Sequence, residues 1–307
     1  MGVSCSEILL NSSCFKSSGQ NKEPLSIPNL PLTNLTRRYQ AKKAVKNLPK
    51  PRVIWVLNKA FFPIGGLWAE KLPINDGTYT GELVNSKRHG IGTFCWNDGK
   101  FYEGQWENNT QCGYGRMRFN QEDVFEGQWE NDLMNGYGIL ICRNFKYVGN
   151  WVNGKQSGKG IETWPDGSSF DGDFNLGMKE GKGTLVFQDG SRYIGEFKAN
   201  QLCGYGVYYW IDNKKYVGNW VNSKKQGKGL MTWPDGKYYD GDYLNDLQEG
   251  NGTYAVNENK KYMGEWKAGK KHGLGVVFHK GKSRKGQWEE GKLTKWFEDS
   301  VDILNDV

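Results

Sequence analysis

Proline is scarce in this chain, at 9 of 307 residues, and histidine scarcer, at 3. The six cysteines, at positions 5, 14, 95, 112, 142 and 203, form no C-x-x-C pair. No run approaches the roughly 18 apolar residues that a membrane-spanning helix requires. The start lacks the basic and apolar regions of a secretory signal, so the thiols are expected to be free in a reducing compartment. Collagen would need far more proline and glycine at every third position, and disordered tails are poor in aromatics; both are excluded.

Two residue classes are in surplus. Glycine contributes 42 residues, about twice its usual ~7% share, and aromatics reach 14% with 13 Trp, 16 Tyr and 14 Phe. Together they imply a tightly turning β-structure built from a repeated unit. The net charge of +7 is uneven: residues 1–72 hold 11 basic and 3 acidic residues (11 − 3 = +8), so the remainder sums to −1. The basic character belongs to an N-terminal extension.

From residue 79 a pattern recurs: aromatic-x-Gly-x-aromatic, a polar stretch, then Gly-x-Gly. Its first Gly falls at 81, 104, 127, 149, 172, 195, 218, 241, 264 and 286, in steps of 22 or 23. YVGNWVNGKQSGKGIETWPDG from Tyr147 returns as YVGNWVNSKKQGKGLMTWPDG from Tyr216, so part of the array arose by copying three units. Within a unit, Tyr79, Gly81 and Leu83 share one face while Thr80 and Glu82 share the other, the period of a strand. Polar stretches such as NSKRH then join two strands into a hairpin, and Asp98-Gly99, Asp166-Gly167, Asp189-Gly190 and Asp235-Gly236 mark the next turn.

The expected fold is all-β: an elongated, twisted antiparallel sheet of tandem 23-residue hairpins. Nine units of two strands at about 4.8 Å give a ribbon roughly 85 Å long. In-strand glycines leave room for large aromatic neighbours from adjacent strands. The expected divisions are a basic, irregular and partly helical extension over 1–72, the array over 73–291, and a short capping helix over 292–307. That helix rests on the spacing of Leu293, Trp296, Phe297, Val301 and Leu304. The apolar stretch RVIWVLNKAFFPIGGLWAEKL (52–72) is expected to pack on the first hairpins.

The unit, for example Tyr262-Met-Gly264-Glu-Trp266 followed by Gly273-Leu-Gly275, resembles the MORN (membrane occupation and recognition nexus) repeat. The resemblance covers about 79–288, with a degenerate tenth unit in which Arg284 replaces the aromatic. It implies a scaffolding or linking role, in cilia and flagella, at membrane junctions or beside catalytic domains such as phosphoinositide kinases. No catalytic segment follows Trp288, so a non-enzymatic scaffold is expected, on the cytoplasmic side in a ciliary axoneme, cytoskeleton or submembrane assembly. Alternatives are a membrane-tethering or phospholipid-recognising module and a regulatory subunit of an enzyme complex.

The aromatic face is the expected partner-binding surface, through Tyr102, Trp106, Phe125, Trp129, Tyr147, Trp151, Phe170, Phe174, Tyr193, Tyr216, Trp220, Tyr239, Tyr262 and Trp266. The reasoning is area: nine units expose more aromatic surface than two short flanks hide, and such patches mark interfaces. The start Met-Gly2-Val-Ser-Cys5-Ser6 fits myristoylation at Gly2 with palmitoylation at Cys5. The run holding Arg37, Arg38, Lys42, Lys43, Lys46, Lys50 and Arg52 would add a polybasic patch for an anionic membrane or an acidic partner. Nucleic acid is not expected, because the aromatics lie outside the basic segment.

No catalytic residue, cofactor, metal or small-molecule substrate is expected. The Gly158-Lys159, Gly181-Lys182 and Gly227-Lys228 pairs lack the rest of a phosphate loop. His89, Cys112, Cys203 and His272 share one repeat position, which separates such side chains by about 10 Å between adjacent units. The pairs Asp171/Asp173 and Asp240/Asp242 belong to the polar face.

Overall fold

The computed structural model describes residues 66–297. Among them 21 strands form one open antiparallel sheet. Each strand pairs with its neighbours in the chain, from Leu67–Ile74 at one edge to Lys292–Trp296 at the other. Two kinds of turn alternate. At Asn85-Ser86 φ is positive at both residues, 51° and 61°, as it is at Asn108-Asn109, Asn131-Asp132 and Asn245-Asp246. Such mirror-image turns suit the right-handed twist of the strands, and Asn and Asp tolerate them best. The polar NSKRH stretch therefore turns on its first two residues, and Lys87 is already strand.

The second turn follows the Asp-Gly expectation. Trp96 N–H donates to the Lys100 carbonyl and Gly99 N–H to the Trp96 carbonyl, both at 3.0 Å, with Gly99 at φ 88°. Trp164, Phe187 and Trp233 stand at the same place before their own Asp-Gly turns.

The glycines divide into two roles. One glycine per strand lines a continuous column across the sheet, as in Gly138↔Gly149↔Gly160↔Gly172↔Gly183. A Cβ on Gly160 would overlap the Tyr147 ring, and one on Gly183 the Phe170 ring. Each aromatic thus lies flat over its own strand's glycine and that of the next strand. The other role belongs to the first Gly of each Gly-x-Gly, as at Gly158 with φ 66°. There the register slips within the hairpin, between Gly149 and Trp151 against Gly160 and Gln156. The same slip recurs in the other hairpins closed by the two-residue turn, for example at Gly104/Gln105 and Gly172/Phe174. Bulges bend strands, and here they fall in line.

The consequence is a crease. Arg88 and Phe94 lie on one strand, six residues apart, which is about 20 Å of extended chain. Yet the Arg88 guanidinium carbon sits 5.0 Å from the Phe94 ring centre and 4.3 Å from that of Trp106. The strand halves fold toward each other along the glycine column and wall in the rings between them.

Both ends depart from expectation. Leu67–Ile74, assigned to the extension up to residue 72, is an edge strand of the sheet with Leu67 75% exposed. Lys292–Trp296, expected to begin a helix, is the last strand and pairs with Lys282–Glu289. A register slip between Gln287 and Trp288 lets side chains three apart reach the same face. Trp296 then packs at 5.8 Å on Trp288, and Leu293 lies against Gly286. Spacing of three marks a bulged strand here, not a helical turn. Arg284, standing for the missing aromatic, caps Trp296 at 4.6 Å. The remainder of the expected helix, 298–307, and residues 1–65 of the extension lie outside the described residues.

Candidate functional site

The two aromatic columns of the sequence merge into one ladder. Tyr79 meets Trp106 at 5.7 Å between ring centres, Trp106 meets Tyr102 at 5.1 Å, and Tyr102 meets Trp129 at 5.4 Å, each nearly perpendicular. The zigzag continues through Phe125, Trp151, Tyr147, Phe174 and Phe170 to Phe197. It then runs on to Trp288 and Trp296. Edge-to-face contacts at these distances are the favourable geometry for ring quadrupoles, about 0.5–1.5 kcal/mol each beyond area burial.

Polar atoms at the ladder are mostly satisfied internally. The hydroxyls of Tyr79, Tyr147, Tyr216 and Tyr262 donate at 2.9–3.1 Å to the carbonyl three residues on. The indole N–H groups of Trp106, Trp129 and Trp266 donate to the Gly92, Gly115 and Gly252 carbonyls. Burial pushes the tyrosine hydroxyls above their ordinary range, that of Tyr262 up to about 12 and those of Tyr102, Tyr193 and Tyr239 higher still.

The fourteen aromatics expected to grip a partner lie in this ladder, all between 0 and 7% exposed. The face they were expected to offer as open surface is the core of the array. The flat-ribbon estimate of exposed area omitted the crease that packs the rings against one another. Gly2, Cys5 and the seven basic residues from Arg37 to Arg52 lie outside the described residues.

What the ladder face leaves half-buried is a rim at the end of the strands. Trp96, Phe119, Trp164, Phe187, Trp210 and Trp233 pack against the core without being covered by it. Cations stand beside them. Lys179 Nζ is 4.8 Å from the Trp164 ring centre, and Lys225 and Lys214 Nζ are 5.8 and 5.9 Å from that of Trp210. Burial lowers the affinity of Lys225 and Lys271 for their protons, although nearby Asp246 counters this at Lys225. This rim was missed in the sequence, where its signal at Trp96, Trp164, Phe187 and Trp233 is an aromatic three residues before Gly in W-x-D-G or F-x-D-G, with Asn213 in place of the Gly after Trp210 and no such turn after Phe119.

On the opposite face the acidic and amide residues serve the bulges. Gln105 and Gln128 side chains accept the Tyr114 and Tyr137 N–H groups at 2.7 and 2.6 Å. Asp173 and Asp242 accept those of Lys182 and Asn251 at 3.3 Å, and they pair with Lys159 and Lys228. Among the described residues no three His, Cys, Asp or Glu gather as a metal site would require.

A creased sheet of copied hairpins threaded by one aromatic ladder defines a linear repeat protein. The MORN repeat model matches residues 79–101, 102–124, 125–145, 147–169, 170–192, 193–215, 216–238, 239–255 and 262–281. The chain belongs to the MORN-repeat family. No curated protein matches it significantly in sequence. Among solved structures it is similar to the TCP domain of SAS-4 (dCPAP) of Drosophila melanogaster, in complex with a proline-rich motif of Ana2. The identity is 14%, over 48% of this chain and 81% of that one, with a TM-score of 0.31. It is also similar to the TCP10 domain of Danio rerio CPAP, as its E1021V mutant, with 10% identity over 67% and 99% of the two chains and a TM-score of 0.38. Superpositions this partial carry no functional argument.

Proposed function

We infer that this chain is a non-catalytic scaffold that holds a segment of a protein partner along the half-buried aromatic rim beside its ladder, as a subunit of a larger assembly. The observation that carries the reading is the rim: Trp96, Trp164, Trp210 and Trp233 recur along one side of the packed core, half-covered, with Lys214 and Lys225 beside Trp210. Tryptophans in such settings dominate interface energetics. A packed ladder beneath them costs little further ordering on binding. The carboxylates Asp173 and Asp242, which would otherwise be candidate acids or bases, are occupied with backbone amides and lysines. The family's scaffolding character supports a cytoskeletal or ciliary assembly on the cytoplasmic side as its setting.

Cross-linking mass spectrometry on native extract tests this. Lys100, Lys214 and Lys237 close the turns that follow Trp96, Trp210 and Trp233. Partner cross-links should include these lysines. Their absence there, with the chain recovered in a complex, would remove the rim as the binding surface.

A further inference from the structure

Charge is sorted along the array. Residues 73–255 hold 19 basic and 23 acidic residues (19 − 23 = −4), whereas residues 256–297, the closing hairpins, hold 11 and 4 (11 − 4 = +7). Part of the difference is built at one place in the repeat. In three earlier units the lysine two residues before the ladder aromatic is neutralised by an aspartate of the preceding turn. Asp98 pairs with Lys100 at 2.9 Å, Asp212 with Lys214 at 3.0 Å and Asp235 with Lys237 at 2.6 Å. In the last unit Lys282 holds the lysine's place, and the aspartate's place is taken by Lys280. Lys260, one unit earlier, follows Glu258 yet forms no ion pair among the described residues, and neither does Lys282.

Register sets these groups side by side. Lys260 stands opposite His279 and His279 opposite Lys282 in adjacent strands, and all three are exposed. They share the ladder side with Tyr262, Val277 and Arg284, each two residues away along its own strand. His279 holds the rim position that Trp233 holds two units earlier, so the aromatic rim ends in a basic one. Two more cations stand on this side: Arg284 lies 4.6 Å over the Trp296 ring centre and Lys271 4.5 Å over that of Tyr262. Burial, and then the charge of nearby Lys260, lower the affinity of Lys271 for its proton. Like charges set against one another in a sheet weaken it, so the stability of the array does not account for gathering them.

Acidic residues follow directly in the chain. Residues 298–307 carry Glu298, Asp299, Asp302 and Asp306 and no basic residue, whereas residues 1–72, at +8, carry the sign of the cluster itself. Phe297 N–H donates to the Lys285 carbonyl at 2.9 Å, so the acidic segment begins beside Arg284. Three strand spacings, about 14 Å, separate the last strand from that of Lys260. Ten residues reach up to ~33 Å.

We propose that the basic end of the rim, formed by Lys260, Lys271, His279, Lys282 and Arg284, is a docking site occupied by the chain's own acidic segment 298–307. Its carboxylates supply the counter-charge that the turn aspartates supply in earlier units. Tethering holds the segment at the site at an effective concentration on the order of millimolar. An acidic stretch of another protein therefore reaches this end of the rim only by displacing it. The site lies beyond Trp233, and its occupancy stands whether or not the tryptophan rim holds a partner.

Zero-length carbodiimide cross-linking of the full chain, read by mass spectrometry, tests this, because it joins a carboxylate to an amine in contact. Glu298, Asp299, Asp302 or Asp306 should be joined to Lys260, Lys271 or Lys282, with the Lys270–Glu290 pair, 2.8 Å apart, as internal standard. A full-length His279→Glu/Arg284→Glu variant keeps all of those lysines. In it the links from 298–307 should fall roughly fivefold or more, while Lys270–Glu290 is unchanged. A labelled peptide of residues 298–307, added in trans, gives a second reading. It should bind the full chain carrying Glu298→Gln, Asp299→Asn, Asp302→Asn and Asp306→Asn roughly tenfold or more tighter than the wild type. That difference should shrink as salt rises. Matching thermal transitions show that the variants are folded. The proposal is overturned if Lys270–Glu290 is linked and 298–307 is not, or if mixed isotope-labelled chains show that its links run only between copies. Equal binding of the peptide to the wild type and the neutralised chain overturns it as well.

Discussion

Lys179 Nζ lies 2.7 Å from Glu162 Oε2, with the two side chains 9% and 2% exposed. The contact spans the crease: Glu162 stands opposite Phe170, which stands opposite Leu185, while Lys179 stands opposite Phe174. Only a strand folded over its bulge brings these positions together. The ammonium also lies over the Trp164, Phe170 and Phe174 rings at 4.8, 5.3 and 5.8 Å. In two other hairpins the place of Lys179 is held by Met134 and Leu202, while in others it is held by polar residues such as Gln111, Gln156 and Lys225; the place of Glu162 is apolar at Leu140, Leu185 and Met231.

The first prediction follows. Removing one partner of a buried pair leaves an uncompensated charge and costs about 3–5 kcal/mol, whereas replacing both by apolar residues of similar volume is often neutral or stabilising. Glu162→Met or Lys179→Met alone should therefore destabilise the central units strongly, and the double variant should recover most of the loss. Hydrogen exchange of the Lys155–Val186 amides, read against the flanking hairpins, reports the effect locally, as an array of nearest-neighbour units requires. A double variant as unstable as the singles would contradict the pair's replaceability.

The two glycine roles predict two different penalties within one Gly-x-Gly. Gly160→Ala would place a methyl inside the Tyr147 ring, an overpacking cost of about 1–3 kcal/mol or more. Gly158→Ala meets only the Asn150 side chain, at 3.5 Å and beyond. Its cost is the left-handed backbone at φ 66°, about 1–2 kcal/mol. Gly158→Asn should be milder than Gly158→Ala, while Gly160→Asn should be worse than Gly160→Ala. Thermal unfolding of the four variants checks the ordering.

Alkaline pH should unravel the array from its tyrosines. Burial raises the hydroxyls of Tyr79, Tyr102, Tyr147, Tyr193, Tyr216, Tyr239 and Tyr262 above the ordinary value of 10.0. Above that value the unfolded chain releases protons that the folded chain keeps, so the native state binds more protons and stability falls as pH rises. Stability should be level with respect to these groups below about pH 9 and decline steeply from about 10 to 12. Phe125 and Phe170 show that a ring without a hydroxyl fits the ladder. Tyr147→Phe and Tyr216→Phe together should shallow the alkaline decline at a neutral-pH cost of about 1 kcal/mol per lost hydrogen bond. Tryptophan fluorescence against pH measures both.

The repeat, the hairpins and the ladder residues were legible because each is a pattern of residue type at fixed spacing. The Asp-Gly turns were legible from glycine's tolerance of positive φ. The crease was not. It depends on the first Gly of Gly-x-Gly being a bulge and the second a contact surface, roles that identical letters conceal until Gly149↔Gly160 is set beside Trp151↔Gln156. From that one omission came the misreading of the aromatics as an open face. The last strand was hidden for the same reason: Leu293 and Trp296 lie three apart because a bulge intervenes, and a spacing of three also fits a helix.

The ladder and its rim should therefore separate stability from binding. Trp151 is 1% exposed and sandwiched between Phe125 and Tyr147 at 5.3 and 5.1 Å. Trp151→Ala should cost about 3–5 kcal/mol, and any loss of assembly would follow from unfolding. Trp210 packs on Tyr208 at 4.4 Å and is only partly covered. Trp210→Gln and Trp233→Gln should each cost stability far less than Trp151→Ala, while their combination should lose at least tenfold in partner affinity, the usual yield of interface tryptophans. Native complexes recovered with each variant, paired with its unfolding transition, give both readings from one preparation. A Trp210→Gln/Trp233→Gln chain that stays folded and fully assembled would show that the partner rests elsewhere than on this rim.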